Sequence, residues 1–453
     1  MVLGSVAACA RAPRPSVVLI TIDTLRADHL GCYGYARQTT PRIDALAAQG
    51  ALFTRAYTSL PRTTQSIASI LTGKFPRDHG ARGLFSTLSP VNVTLAEVLR
   101  DQGYDTAAIV SNMFLRPGRG FEQGFALYDN PPRRWDGDSA DEVTSTALSW
   151  LRQRPSGRPF FLWLHYLDPH WTYRPSPPYD TLFEGGRTPP ALPLDREVAE
   201  GRLTKGQIIF QNRLTPAQVD RVVRLYDGEI RQVDAALGPV LEALGRLNPP
   251  PLIVLTSDHG ESLGEHGYYF AHGEYLYQPT LHIPLILHLP GRIPPGLRSE
   301  ALAQNIDVAP TILGILGIDR LQAVDGRPLL IPAPASADGR RWLRAAPGRT
   351  LVFAESDYQL IHPENPRYYI PGPSGRWSAA SDGHFKLIDI PRRSGGLLES
   401  YDLQTDPGES RSLDAAGLPP GSYGRLLREL RSFADYGTGP QPEPNPSIDP
   451  EER

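Results

Sequence analysis

Short apolar runs that end in polar residues constrain the fold of this chain more than any other feature of its sequence. The runs cover residues 17–23, 107–111, 160–165, 252–257 and 283–288. Their apolar residues follow one another without alternating with polar ones, a pattern typical of strands that are buried on both faces. These runs predict a mostly parallel sheet with helices packed against both of its faces.

Helix signals lie between these runs. A helix is predicted over residues 40–50, where Pro occupies the first helical position. Thr94 and Glu97 have the spacing of a capping box, which marks the start of another helix. The longest predicted helix runs from residue 215 to about residue 247. Strands that alternate with helices are typical of an α/β fold.

The character of the sequence changes near residue 346. Beyond it, short strand-like pieces are separated by Pro and Gly, and one helix is predicted near residues 422–436. We therefore expect a main domain over residues 15–345 and a small α+β subdomain over residues 346–436. Residues 437–453 are predicted to form a disordered tail.

Residues 1–14 resemble the end of a bacterial lipoprotein signal followed by a tether. Small residues precede Cys9 in the sequence Val6-Ala7-Ala8-Cys9. The charged start and the full apolar stretch of such a signal are missing, so we interpret the segment as its truncated end. Lipidation of Cys9 would attach the protein to a membrane outside the cytoplasm, as a periplasmic or lipid-anchored protein. The alternative is a cytoplasmic protein.

Composition excludes several classes of function. The 46 basic and 49 acidic residues give a formal charge of −3, which argues against binding to nucleic acid. Cys9 and Cys32 are the two cysteines, too few for a disulfide scaffold or a thiolate zinc site. A metal bound by this chain would therefore use oxygen and imidazole ligands.

Polar residues with metal-binding side chains follow four of the predicted strands. They are Asp23, Ser111 with Asn112, His165 with Asp168 and His170, and Asp258 with His259. In open α/β sheets ligands bind beyond the carboxyl ends of the strands, so these residues are expected to share one site. Each of them alone is an ordinary turn former. A metal site explains the whole set better.

A Gly-rich segment after one predicted strand carries candidate ligands. Asp258 and His259 come directly after the strand, so both can reach one ion. His272 follows in the same segment, and the alternative interpretation of the segment is a solvated hairpin.

Residues 57–73 contain a hydroxyl-rich turn around Thr63, followed by an apolar helix from about Ser66. A hydroxyl at a helix N-terminus favours an anionic substrate, and the alternative is a simple N-cap.

The chain resembles the sulfatase-type branch of the alkaline phosphatase superfamily over nearly its whole length. The matching stretches are residues 22–34, 40–50, 71–80, 168–170, 226–230, 257–267, 282–286 and 401–409. They include Asp168-Pro169-His170 and the run Ser257-Asp258-His259-Gly260-Glu261. The resemblance implies the α/β fold of that superfamily and an ester hydrolase.

The resemblance also implies a ligand set. Asp23, Asp258 and His259 fall on the metal ligands of the family, and Thr63 falls on the nucleophile, which is a further ligand. We favour one divalent ion. Oxygen-rich ligation with one imidazole suits Mn²⁺, Mg²⁺ or Ca²⁺, and Zn²⁺ is a further candidate.

Three more residues fall on positions that contact the substrate in the family. His170 falls on the active-site His of the Pro-His motif, and His272 and Asn112 fall where many sulfatases carry Lys. We expect His272 or His170 to protonate the leaving oxygen, because imidazole titrates near neutral pH. We expect Asn112 to donate a hydrogen bond to the developing charge.

Departures from the family pattern decide the subtype. Sulfatases carry Cys or Ser, followed by x-Pro-Ser-Arg, and convert it to formylglycine. This chain has Thr63, and Ile67 stands where the Arg would be. Thr24 replaces the second Asp of the usual Asp-Asp pair. Oxidation of a Thr side chain would give a ketone, so the aldehyde chemistry is not available.

These departures leave three hypotheses. A Thr nucleophile resembles that of phosphoryl-group enzymes, so we favour hydrolysis or transfer of a phosphate ester through a covalent Thr63 intermediate. The second hypothesis is a sulfuric ester hydrolase that works without formylglycine. The third is a catalytically silent binding protein on the same fold. The expected substrate is a small-molecule, glycan-linked or lipid-linked anionic ester.

Overall fold

The structure is a computed structural model. It describes residues 14–130, 139–184, 205–210, 214–319, 321, 323–334, 341–357, 365–367, 370, 373–393, 396–413 and 417–435. The predicted leader with Cys9, except for residue 14, and the predicted tail lie outside these residues. None of the helices in the described part has the length and apolar character needed to span a membrane.

The regular elements are numbered in chain order within the described residues. Strands β1 to β19 are Val17–Ile22, Ala51–Phe53, Ala56–Tyr57, Asp105–Val110, Leu127–Asp129, Phe160–Tyr166, Leu252–Ser257, Ser262–Leu263, Tyr269–Ala271, His282–Ile283, Leu285–His288, Leu297–Ser299, Ala303–Gln304, Leu330–Pro332, Leu343–Ala345, Val352–Glu355, Ser378–Ser381, Phe385–Ile390 and Leu397–Asp402. Helices α1 to α10 are Pro41–Ala48, Thr63–Thr72, Pro76–His79, Leu95–Asp101, Ala140–Gln153, Lys205–Phe210, Pro216–Gly245, Gln278–Leu281, Val308–Leu316 and Pro420–Asp435.

A central sheet has eight strands in the order β12-β2-β11-β7-β1-β6-β4-β5. Strand β1 pairs in parallel with both β6 and β7, and β4 pairs in parallel with β6 and β5. Strand β11 runs antiparallel to β7 and to β2. The predicted α/β fold with a mostly parallel sheet is therefore confirmed.

The prediction of one strand over residues 283–288 is wrong. Ile283 pairs with β3 in a separate three-stranded sheet, and β11 begins only at Leu285. Pro284 separates the two strands because it has no N–H group for a sheet ladder. An apolar run carries no information about strand direction, so the antiparallel pairing of β11 was not predicted.

Strand β1 separates two hydrophobic cores. Val17 and Leu19 pack in one core, which also contains apolar residues of α2 and α9. Val18 and Ile20 pack in the other core, with residues of α1, α5 and α7. Both faces of the strand are fully covered, which explains its unbroken apolar sequence.

The predicted starts of α1, α4 and α7 match the structure, and the predicted start of α2 does not. Thr94 and Glu97 form a capping box at the start of α4, and α7 begins after Thr215. The helix predicted from about Ser66 begins at Thr63, so the predicted turn around Thr63 is the first turn of α2. Helix α2 is buried along its whole length, so tertiary packing stabilises a start that local propensity does not favour.

A small subdomain follows the central sheet. Strands β16 to β19 form an antiparallel four-stranded sheet, and Leu426 and Leu430 of α10 pack against Leu387 of β18. This confirms the predicted C-terminal α+β unit. The residue Asp357, two positions beyond the end of β16, hydrogen-bonds through its backbone N–H to the carbonyl of Gly273 in the main domain.

Buried His79 should make stability depend on pH. Its Nδ1 accepts a hydrogen bond from the Ala81 N–H at 3.1 Å, and burial, with smaller effects of the Lys74 and Arg82 charges, lowers its pKa to about 3. The unfolded chain binds a proton near pH 6.5, so this contribution is complete above that pH and is lost as pH falls towards 3. We expect a loss of about 2 kcal/mol between pH 7 and pH 5, measured by denaturant unfolding.

The control for this prediction is His384, whose side chain is 40% exposed. His79→Gln should flatten the slope of unfolding free energy against pH much more than His384→Gln does. Equal slopes in the wild type and in His79→Gln would contradict the prediction.

Candidate active site

The ends of two neighbouring strands bring three predicted ligands together. Ile22 of β1 lies opposite Ser257 of β7, so the next residues, Asp23 and Asp258, emerge side by side. One ligand-type atom from each of Asp23, Asp258 and His259 lies within 4.8 Å of the others, and all three residues are buried. The parallel register of the sheet therefore builds the cluster directly.

Thr63 lies at the edge of this cluster. It is the first residue of α2, and its side chain is buried. Its Oγ1 atom lies 3.4 Å from His259 Nε2 and 3.5 Å from Asp23 Oδ2. The positive end of the α2 dipole favours negative charge at this hydroxyl. The predicted nucleophile and the predicted ligands therefore share one site.

His259 is held in the tautomer that a metal ligand needs. Its Nδ1 donates a hydrogen bond to the Gly260 carbonyl at 2.9 Å, which directs the Nε2 lone pair towards the two carboxylates. Nε2 lies 3.4 Å from Asp258 Oδ2 and 3.7 Å from Asp23 Oδ1. Burial lowers the pKa of His259 to about 4, so the ring is neutral at pH 7.

The carboxylates of the cluster have oxygens without hydrogen-bond donors. Among the described residues, none donates to Asp23 Oδ1 or to Asp258 Oδ2, although both atoms are buried. Burial and the Asp23 charge raise the pKa of Asp258 well above its ordinary value. Burial also opposes ionisation of Asp23, but the neighbouring imidazoles of His165, His170 and His259 lower its pKa to about 2.

Such a site fits a divalent cation. Two buried carboxylates with orphaned oxygens repel each other, and a neutral imidazole faces them; a bound cation would satisfy all three. Sulfatase-type Asp-Asp pairs would add one more oxygen, but Thr24 occupies that position. The Thr24 backbone N–H donates to Asp258 Oδ1 at 3.3 Å, with φ at 55°. A β-branched residue rarely adopts this conformation, so the backbone is strained beside the site.

Asn112 contacts a predicted ligand. Its Nδ2 donates to Asp23 Oδ2 at 2.8 Å, and its Oδ1 accepts from the Phe114 N–H at 2.9 Å. The side chain is thereby fixed with one amide hydrogen on Asp23. Its expected hydrogen bond to the substrate stays a prediction.

The two predicted proton donors lie next to the cluster. The ring of His272 is 4.1 Å from that of His259, and the ring of His170 is 5.3 Å from that of His272. His272 Nδ1 lies 2.9 Å from Glu261 Oε1, and Glu261 is buried. The sequence showed Glu261 two residues beyond His259, but gave it no role.

His165 is a second residue whose contact was missed. The strand-end argument placed it at the site, but assigned it no function. Its Nε2 lies 3.6 Å from Asp23 Oδ2, and its Nδ1 lies 2.8 Å from the Thr21 hydroxyl. Asp168, from the same strand end, instead accepts a hydrogen bond from the Ser139 hydroxyl at 2.7 Å. The strand order places His165 and Asp168 at the same strand end, and only the distances show that His165 lies beside Asp23.

The architecture and the site define the class of this protein. The mostly parallel sheet carries carboxylates, an imidazole and a hydroxyl at its carboxyl edge, and its fold matches that of solved structures. A family model described as Sulfatase matches residues 15–318, and the chain belongs to the sulfatase family. It is a sulfatase-family hydrolase; the Thr-nucleophile subtype stays a prediction.

Three comparisons illustrate the similarity. The N-acetylglucosamine-6-O-sulfatase of Bacteroides thetaiotaomicron is 25% identical over an alignment 524 positions long, which covers 95% of this chain and 88% of the relative. The phosphonate monoester hydrolase of Agrobacterium radiobacter superposes with a TM-score of 0.72 at 22% identity, covering 93% of this chain and 96% of that one. A third comparison is with a protein solved in complex with its substrate, D-glucosamine-2-N,6-O-disulfate. It superposes with a TM-score of 0.74 at 22% identity, covering 96% of this chain and 100% of that one.

Proposed function

We propose that this protein hydrolyses phosphate or sulfate esters, or transfers their acid group, through a covalent Thr63 intermediate, with phosphate esters preferred. One observation carries the proposal: the Thr63 hydroxyl lies 3.4 Å from His259 Nε2 and 3.5 Å from Asp23 Oδ2. A hydroxyl beside a cluster of side chains that could hold a metal ion can be activated as a nucleophile by metal coordination. The substrate would be a small-molecule, glycan-linked or lipid-linked anionic ester.

The first chemical step takes place at Thr63. Its Oγ1 forms a bond to the phosphorus or sulfur atom while the bond to the leaving oxygen breaks, and the hydroxyl proton passes to solvent. A bound divalent ion would lower the pKa of the hydroxyl and neutralise the non-bridging oxygens of the ester. Asp23, Asp258 and His259 would hold that ion. Water then releases the acid group from Thr63; an alcohol in place of water gives transfer.

His272 is our candidate for protonation of the leaving oxygen. Glu261 Oε1 lies 2.9 Å from its Nδ1, which fixes the ring and turns Nε2 to the opposite side. A positioned imidazole can donate its proton as the bond breaks. His170 is the alternative donor because its ring lies 5.3 Å from that of His272.

Thr63 also supports the preference for phosphate esters. Formylglycine hydrate chemistry needs an aldehyde, and a Thr side chain has no route to one. A hydroxyl nucleophile can be regenerated by attack of water on phosphorus.

The relatives support a second candidate, a sulfuric ester hydrolase that works without formylglycine. One relative is an N-acetylglucosamine-6-O-sulfatase, and one structural neighbour has a sulfated glucosamine as its substrate. A sulfated amino sugar is therefore the natural alternative substrate to test.

An assay with three chromogenic esters tests the preference. We expect p-nitrophenyl phosphate or bis-p-nitrophenyl phosphate to be hydrolysed with a kcat/KM at least about tenfold above that of p-nitrophenyl sulfate. Metal content, measured by elemental analysis on the same sample, is expected to be one divalent ion. Faster sulfate hydrolysis would support the second candidate, and no metal with no turnover would support a silent binding protein.

A further inference from the structure

Arg62 is a cation placed next to the proposed nucleophile. It precedes Thr63 directly, with an extended backbone (φ −152°) that ends where α2 begins. Its side chain is only 12% exposed. A guanidinium remains charged at every pH that the protein meets, so this buried position holds a permanent positive charge.

The guanidinium lies against the segment that carries His272. A Cβ atom at Gly273 would overlap the Arg62 guanidinium. Gly273 also has a φ of 100°, a conformation that other residues rarely adopt. Glycine at this position therefore lets the Arg62 head group occupy the space between the start of α2 and the His272 segment.

The C-terminal subdomain positions this guanidinium. Asp357 Oδ2 lies 3.2 Å from Arg62 Nε, and Asp357 Oδ1 accepts a hydrogen bond from Gln65 Nε2 at 3.1 Å. The Asp357 backbone N–H also donates to the Gly273 carbonyl at 2.8 Å. Hydrogen bonds to Gln65 and Gly273 thus hold Asp357 in place beside Arg62.

The ion pair leaves Arg62 with unused donor capacity. Nε is buried but has no hydrogen bond of normal geometry to any residue in the described part of the chain. The guanidinium therefore has an N–H group free for a ligand.

We propose that Arg62 binds a non-bridging oxygen of the tetrahedral oxyanion that is transferred to Thr63, and that Asp357 positions it. This inference rests on the proposed function. It makes Arg62 a catalytic residue and Asp357 a positioning residue. The anion is a phosphoryl or sulfuryl group, because a planar guanidinium hydrogen-bonds both of them well. Ile67, one turn into α2, offers no charge for this task.

Binding of inorganic phosphate and inorganic sulfate to the Mn²⁺-loaded protein tests the proposal without turnover. By isothermal titration calorimetry, Arg62→Ala is expected to weaken binding of the preferred anion about 30-fold, and Arg62→Lys about tenfold. Asp357→Asn should weaken it less than Arg62→Ala. Guanidinium ions added to Arg62→Ala should restore part of the turnover, an effect that a purely structural role would not produce.

Arg82 provides a matched control. It is as deeply buried as Arg62 and pairs with Glu355, two residues from Asp357 in the same segment. Arg82→Ala should leave anion affinity within about twofold of the wild type, since Arg82 donates to both carboxylate oxygens of Glu355. Unchanged affinity in Arg62→Ala, or an equal loss in Arg82→Ala, would overturn the proposal.

The two proposals fail in different ways. Turnover that persists in Thr63→Ala would refute the covalent intermediate but would leave the phosphate-binding result intact. Normal phosphate binding in Arg62→Ala would refute only the role of Arg62. The phosphate and sulfate arms together show which oxyanion Arg62 prefers.

Discussion

Thr63→Ala is expected to lower kcat by at least about 10⁴-fold, because it removes the atom that forms the covalent bond. The Ala side chain leaves Asp23, Asp258 and His259 in place, so metal content should remain close to that of the wild type. The measurement is steady-state hydrolysis of p-nitrophenyl phosphate, with elemental analysis of the same preparation. Activity within tenfold of the wild type would refute the assignment of the nucleophile.

Two variants separate chemistry from folding. Thr63→Ser keeps a hydroxyl and should retain measurable turnover. Thr64→Val removes the neighbouring hydroxyl, which hydrogen-bonds to the Leu84 carbonyl at 2.8 Å, away from the ligand cluster. We expect Thr64→Val to change stability by about 1 kcal/mol and to leave kcat unchanged. Loss of kcat in both Thr63→Ala and Thr64→Val would indicate a disturbed helix start.

Asp258→Asn is expected to abolish stoichiometric metal binding and to lower kcat/KM by at least about 10³-fold. Asn has nearly the same size as Asp and can still accept the hydrogen bonds from Thr24 and His259 at Oδ1. It removes a buried carboxyl group whose ionisation is opposed by burial and by the Asp23 charge in the metal-free protein. With chelator present, this variant should therefore melt at a higher temperature than the wild type, and without chelator at a lower one.

Asp227→Asn provides a control in which the melting temperature with chelator should change in the opposite direction. It is buried, but its carboxylate is paired with His29 at 2.7 Å and with Arg37 at 2.6 Å. Asp227→Asn should lower the melting temperature with or without chelator and keep metal content at the wild-type value. A chelated Asp258→Asn that melts below the chelated wild type would contradict the repulsion argument.

The position of the site could be predicted from sequence, but its hydrogen bonds could not. Asp23 and Asp258 follow strands that are adjacent and parallel, and adjacent parallel strands place their carboxyl ends together. The contacts of Glu261 and His165 depend on side-chain rotamers and packing, which leave no periodic signal. Arg62 was missed because its partner Asp357 comes from the C-terminal subdomain.

The errors in the predicted elements have a shared origin. The start of α2 at Thr63 depends on burial of the whole helix, which overrides the weak helix propensity of Thr. The break at Pro284 and the direction of β11 depend on the strands that pair with this segment, not on the composition of the segment. Metal identity, the lipidation of Cys9 and the extracytoplasmic location stay predictions.

The neighbouring positions of β1 and β7 have a consequence for the order of folding. Thr24 and Asp258, joined by a hydrogen bond, are 234 residues apart in the chain. A nascent chain can therefore fold its first α/β units long before the ligand set is complete. A divalent ion would bind only after β7 has inserted, and would then stabilise the finished sheet over its intermediates. Metal uptake during refolding should accordingly report the closure of the sheet and lag behind the formation of helices.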